Sequence, residues 1–170
     1  MAKTVKRLYE TFQPTHYTLH IAPDSKTMHF TGTIEIKGKK VGRPSQRFTF
    51  HQNGLKITKA TAIKHDKKGD ETVDIVRINN QNTLHEVHLH SDKLLYPGDY
   101  TIYMEFEAPI TRGMTGLYPC FFKHNGEEKV LLATQFESHH AREVFPCIDE
   151  PEAKATFDLS ITAPSELTVL

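Results

Sequence analysis

Apolar and polar residues alternate with period two along most of the first 109 positions. The alternation runs through 16–21 and stops at Pro23 and Asp24. It resumes over 29–37 up to Gly38, over 47–51 up to the turn at Asn53 and Gly54, and over 55–63 beyond it. Further runs cover 73–78, broken by Asn79 and Asn80, then 84–90, and 100–106 after Pro97, Gly98 and Asp99. Residues two apart on a strand share a face, and the runs are rich in β-branched and aromatic residues. The pattern therefore predicts short antiparallel strands with one face buried and one wet. No stretch before Pro109 carries a 3.6-residue stripe. Residues 1–109 accordingly read as a β-sandwich or a strongly curved antiparallel assembly. No internal repeat or low-complexity segment is visible.

Beyond Pro109 the character changes. Residues 113–118 read as a loop entering a strand, and Asn125-Gly126 is a hairpin signal. Residues 129–136 read as a buried extended strand. A single helical turn capped by Ser138 is expected over 137–143. Pro146 and Pro151 frame a rigid segment, and 155–162 alternates once more. The apolar run at Glu166, Leu167, Thr168, Val169 and Leu170 stops abruptly, which suggests a domain cut just short of its end.

Composition narrows the function classes. The 170 residues hold 21 Lys+Arg and 21 Asp+Glu, for a formal net charge of zero. That balance excludes a strongly basic nucleic-acid binder and an acidic solvating tail, and the length fits one domain spanning 1–170. The N-terminus is basic over 1–7 with no apolar core after it, so it is no signal peptide. No apolar run is long enough to span a membrane. Cys120 and Cys147 lack CxxC or Cys/His metal spacing and both sit among apolar neighbours. They are expected as buried, inert free thiols in a cytoplasmic protein, with a disulfide between them as the alternative if the fold brings them together.

The 11 histidines invite a metal hypothesis. His85-Glu86-Val87-His88 approaches the H-E-x-x-H zinc signature but is one residue short, and that motif needs a helix to bring its two histidines onto one face. In a strand His85 and His88 face opposite ways, so these histidines read as decoration of a wet face. His139 and His140 are adjacent, which suits a shared metal poorly. No G-x-S-x-G elbow, no phosphate-binding glycine loop and no spaced carboxylate couple is present. The basic residues between Lys37 and Arg43 read as a solvated hairpin loop. The informative stretch is 134–151, polar and framed by prolines. There Gln135 and Glu137 stand two apart and project the same way if the backbone is extended, and the residues alone equally fit a structural corner whose acids cap backbone amides.

The residues Thr134-Gln135-Phe136-Glu137, Ala141-Arg142, Phe145-Pro146-Cys147-Ile148-Asp149-Glu150-Pro151 and Lys154-Ala155-Thr156-Phe157 resemble the signature closing the N-terminal domain of M1 (gluzincin, aminopeptidase N-like) zinc aminopeptidases. Residues 14–21 and 30–36 are similar to that domain's opening strands, and Gly116-Leu117-Tyr118 resembles the strand before the signature. The resemblance implies an all-β, saddle-shaped, antiparallel sandwich-like domain packed against a downstream catalytic domain. It implies an enzyme that removes N-terminal amino acids from peptides with zinc as cofactor. It further implies that Glu137 binds the substrate's free α-amino group and that Gln135 lines the pocket for the first side chain. The Asp149-Glu150-Pro151 segment is assigned a structural role. H-E-x-x-H with its third-ligand Glu is absent, as is G-x-M-E-N, so this chain is expected to hold no catalytic residue and no zinc, and to be inactive alone. The rival reading is a stand-alone, non-catalytic β-sandwich interaction module.

Overall fold

The computed structural model describes residues 7–170, and the basic stretch at 1–6 lies outside the described residues. Eleven strands account for nearly all regular structure: β1 (Phe12–Asp24), β2 (His29–Lys40), β3 (Ser45–His51), β4 (Lys56–His65), β5 (Glu71–Val73), β6 (Ile75–Gln81), β7 (Glu86–Leu95), β8 (Gly98–Pro109), β9 (Gly116–His124), β10 (Glu127–Gln135) and β11 (Thr156–Ile161). Two single 3₁₀ turns, Leu8–Glu10 and Ala141–Glu143, are the only helical segments among the described residues. The all-β expectation from the alternating pattern holds, and no described helix is long and apolar enough to cross a membrane.

A six-stranded sheet in the order β11-β1-β2-β8-β4-β5 faces a three-stranded sheet β3-β7-β6, and β9-β10 form a separate ribbon. The inward residues of the two sheets meet in an aromatic cluster. Phe12 lies edge-on to Phe48 and Phe50 at 5.9 and 5.4 Å, and Phe48 to Tyr100 at 5.1 Å. Ile34, Ile36, Ile102 and Met104 fill the large-sheet side, Val87 and Leu89 the other. Aromatic pairs of this geometry add to the transfer free energy of the buried area itself.

Local chemistry explains several departures from a simple meander. Pro14 has no N–H to give the ladder, and the β1–β2 register slips between Pro14 and His16. Opposite Pro14, a side chain on Gly38 would meet Gln13 O at 2.5 Å, so glycine alone fits there. Gly38 therefore does not end the strand, and β2 continues to Lys40. Lys40 is buried, its Nζ donates to Arg43 O at 3.3 Å, and burial pulls its pKa down; of the expected solvated loop, Lys37 to Lys40 are strand and the loop itself is confined to 41–44. The run 73–78 is not one strand either. Its chain passes from the large sheet to the small one at Asp74.

Four further expectations need correction. β11 pairs with β1 in parallel, not antiparallel. Leu84 and His85 belong to a turn, His85 having φ +51°, and the strand starts at Glu86. His88 is buried, its Nε2 2.9 Å from Glu86 Oε2, so it is not on a wet face. Strand β10 is largely exposed, not buried, because no second sheet backs the ribbon among the described residues.

Candidate functional site

The site residues sit where the ribbon meets the two-layer body. The ribbon register ends with Gln135 opposite Gly116, and Phe136 then turns inward against Phe145 at 5.9 Å. Phe145 also contacts Tyr17 and Phe157, so the chain leaving the ribbon is pinned to the body by one aromatic side chain. Directly after this anchor, Glu137 to His140 form a turn closed by His140 N–H donating to Phe136 O at 2.9 Å.

Gln135 and Glu137 come together, but not on a shared strand face, because β10 ends at Gln135 and Glu137 lies in the turn that follows. The Glu137 backbone N–H donates to Gln135 Oε1 at 2.9 Å. Both residues are exposed, and among the described residues no ion pair engages the Glu137 carboxylate. Such a carboxylate can accept charge-assisted hydrogen bonds from an ammonium group. The expected Ser138 cap does not form. Residue His140 flanks the 3₁₀ turn instead, without a side-chain cap, and Ser138 Oγ lies 2.7 Å from His139 Nδ1.

Behind this turn lies a polar lock. Arg142 Nε donates to Asp149 Oδ2 at 2.8 Å and its Nη2 to Asp149 O at 3.0 Å, with both side chains nearly buried. His51 pairs with Cys147 through both backbone groups, and the Asp149 N–H donates to His51 Nδ1 at 3.0 Å. Burial and the neighbouring Arg142 push the His51 pKa down to about 4, so its ring is neutral and accepts through Nδ1. Glu150 accepts from the N–H groups of Leu8 and Tyr9, at 2.8 and 3.3 Å, and ties the first described turn to this corner. The Asp149-Glu150 pair thus ties backbone segments together. Cys147 is buried, and burial pushes its thiol well up; Cys120 is free but only half-buried, which corrects its expected burial.

Sequence reasoning missed His51, Asn53, Thr115 and Glu143, which meet here across long sequence separations. The available signal was the polar run His51-Gln52-Asn53 that breaks the alternation of β3. Among the described residues no three His, Cys, Asp or Glu side chains converge as metal ligands.

The family model for the Peptidase M1 N-terminal domain matches residues 13–170. Aminopeptidase N of Lactococcus lactis subsp. lactis (strain IL1403) is 41% identical over 165 residues, covering 95% of this chain and 17% of that protein. Aminopeptidase N of Lactobacillus delbrueckii subsp. lactis is 38% identical over 92% of this chain and 17% of its own length. Glutamyl aminopeptidase of Homo sapiens is 32% identical over 96% of this chain, again 17% of its own length. The chain spans about 17% of the length of these relatives.

Proposed function

The chain belongs to the M1 peptidase family, as its N-terminal domain, and from that premise we propose that it completes the substrate cleft of a zinc-dependent aminopeptidase acting on peptides. The observation that carries this reading is the pairing of Gln135 with Glu137 at the ribbon's end, with an exposed carboxylate that no ion pair engages among the described residues in the Thr134-Gln135-Phe136-Glu137 segment. In it Glu137 anchors the substrate's free ammonium group and Gln135 walls the space for the first side chain. An ammonium in a closed cleft needs a carboxylate at hydrogen-bond range, and a peptide lacking a free amine leaves that carboxylate unpaired. That asymmetry restricts cleavage to chain ends.

A downstream catalytic domain would hold the zinc and supply its Lewis-acid chemistry. The apolar side chains of Phe157, Leu159 and Ile161 on β11, and of Phe121, Phe122 and Leu131 on the ribbon, are exposed and give that domain a surface to cover. The 170 residues alone would then hydrolyse nothing. Two free thiols fit a reducing, cytoplasmic setting.

The test is steady-state kinetics of the full-length protein with Glu137→Ala. Loss of the anchor is expected to raise KM and lower kcat/KM by an equivalent of about 1–3 kcal/mol. Unchanged constants would refute the amine-anchor role.

A further inference from the structure

Glu143 is a half-buried carboxylate that the proposed substrate contacts leave unused. Its Oε1 accepts from His140 Nδ1 at 2.9 Å and from Asn53 Nδ2 at 3.4 Å, and its Oε2 accepts from Thr115 Oγ1 at 3.0 Å. The three donors come from three different segments: the turn bearing Glu137, the end of β3, and the loop entering β9. The fourth contact is with Gly116, whose φ is +63°. A Cβ at Gly116 would lie 2.9 Å from both Glu143 Cβ and Oε2. Gly116 is also the register partner of Gln135. One carboxylate therefore joins both flanks of the Gln135–Glu137 pair to the rigid body. Burial opposes its ionisation, but the hydrogen bonds from His140 and Thr115 outweigh that, holding its carboxyl below the usual carboxylate range.

We propose that Glu143 is the positioning residue for the amine anchor, fixing His140 at the far end of the turn that carries Glu137 and seating that turn on the ribbon at Gly116. This rests on the reading of Glu137 given above. Residues 137–139 are exposed, and the turn is held on its own side by the Glu137 N–H bond to Gln135 Oε1 and the His140 N–H bond to Phe136 O. Without Glu143 the turn would be ordered only when substrate binds, and that loss of freedom would be charged to substrate affinity. Asn53 reinforces the arrangement, because its own N–H donates to Arg142 O at 2.8 Å and holds the 3₁₀ turn from below.

Kinetics of the full-length protein on aminoacyl-coumarin amides test this, with Glu143→Ala, Glu143→Gln, Glu137→Ala and the Glu137→Ala/Glu143→Ala double variant. Glu143→Ala is expected to raise KM roughly 3- to 10-fold with kcat within about twofold. Glu143→Gln keeps the shape and one acceptor, and should raise KM less. In the double variant KM should stay within about twofold of Glu137→Ala alone, because Glu143 acts only through Glu137. The preference for an amine-bearing competitive inhibitor over its deamino analogue should shrink in both single Ala variants. A wild-type KM in Glu143→Ala, or effects that multiply in the double variant, overturns the proposal alone. A fall in kcat with unchanged KM does the same, marking a merely structural residue. A wild-type KM in Glu137→Ala removes the anchor and the positioning role together. If Glu143→Ala does not fold, the Glu143→Gln protein and its double variant with Glu137→Ala carry the same comparison.

Discussion

Strand β2, read from alternation, buries Ile34 and Ile36 completely, while β10, read as buried from its apolar run, leaves Leu131 more than half exposed. The difference is what stands behind each strand. β2 runs through the middle of a six-stranded sheet with a second sheet facing it, whereas β10 has β9 as its one strand neighbour among the described residues. Hydrophobic period reports which residues share a face, not whether anything covers that face. The division also separates roles. The two-layer body supplies rigidity, the ribbon supplies reach, and the proposed substrate contacts lie at their junction, fixed to the first and exposed on the second.

That contrast can be broken at four points, taken from the largest expected effect downward. Phe50→Ala removes a fully buried ring from the aromatic cluster and should cost about 3–5 kcal/mol in urea unfolding. A loss below about 1 kcal/mol would mean the two sheets are not packed as one core. Arg142→Leu leaves Asp149 nearly buried without its cation and should cost about 3 kcal/mol. An unchanged midpoint would show that the corner is held without that pair.

The third is a pH dependence. His51 has a folded pKa of about 4 against 6.5 for the ordinary ring, so the unfolded chain binds its proton first. Its contribution is complete above pH 6.5 and is lost as pH falls through 4, a total of roughly 2–3 kcal/mol. Unfolding free energies measured from pH 7 to 4 on wild type and His51→Gln should converge toward acid. Parallel curves would remove His51 from the account. Last, Phe122→Ser on the ribbon should change stability by less than about 0.5 kcal/mol. A cost near that of Phe50→Ala would erase the distinction between ribbon and body.

Much of the strand inventory was legible, because alternation at 16–21, 29–37, 47–51 and 100–106 is a local property, and Asn125-Gly126 does turn a hairpin. The switch of sheets at Asp74 was not, since it depends on where a second layer lies and not on any residue nearby. Burial of His88 and Lys40 was equally invisible: polar side chains enter an interior when partners such as Glu86 Oε2 or Arg43 O wait there, and those partners arrive through the fold. For the candidate site, spacing suggested that Gln135 and Glu137 project together, and the resemblance alone gave them roles. The bond from the Glu137 N–H to Gln135 Oε1 and the convergence on Glu143 needed coordinates, because Asn53 and Thr115 reach Glu143 across 90 and 28 positions.

The parallel seat of β11 beside β1 also has a consequence in time. His16 and Thr156 touch across 140 positions, so one edge of β1 has no native partner until about that many further residues have been made. At ribosomal speeds of about 5–20 residues per second, that edge stays open for roughly 7–30 s after it emerges. The hairpin with β2 pairs the other edge early. Translation order thus makes the first strand of this domain among the last to be fully enclosed.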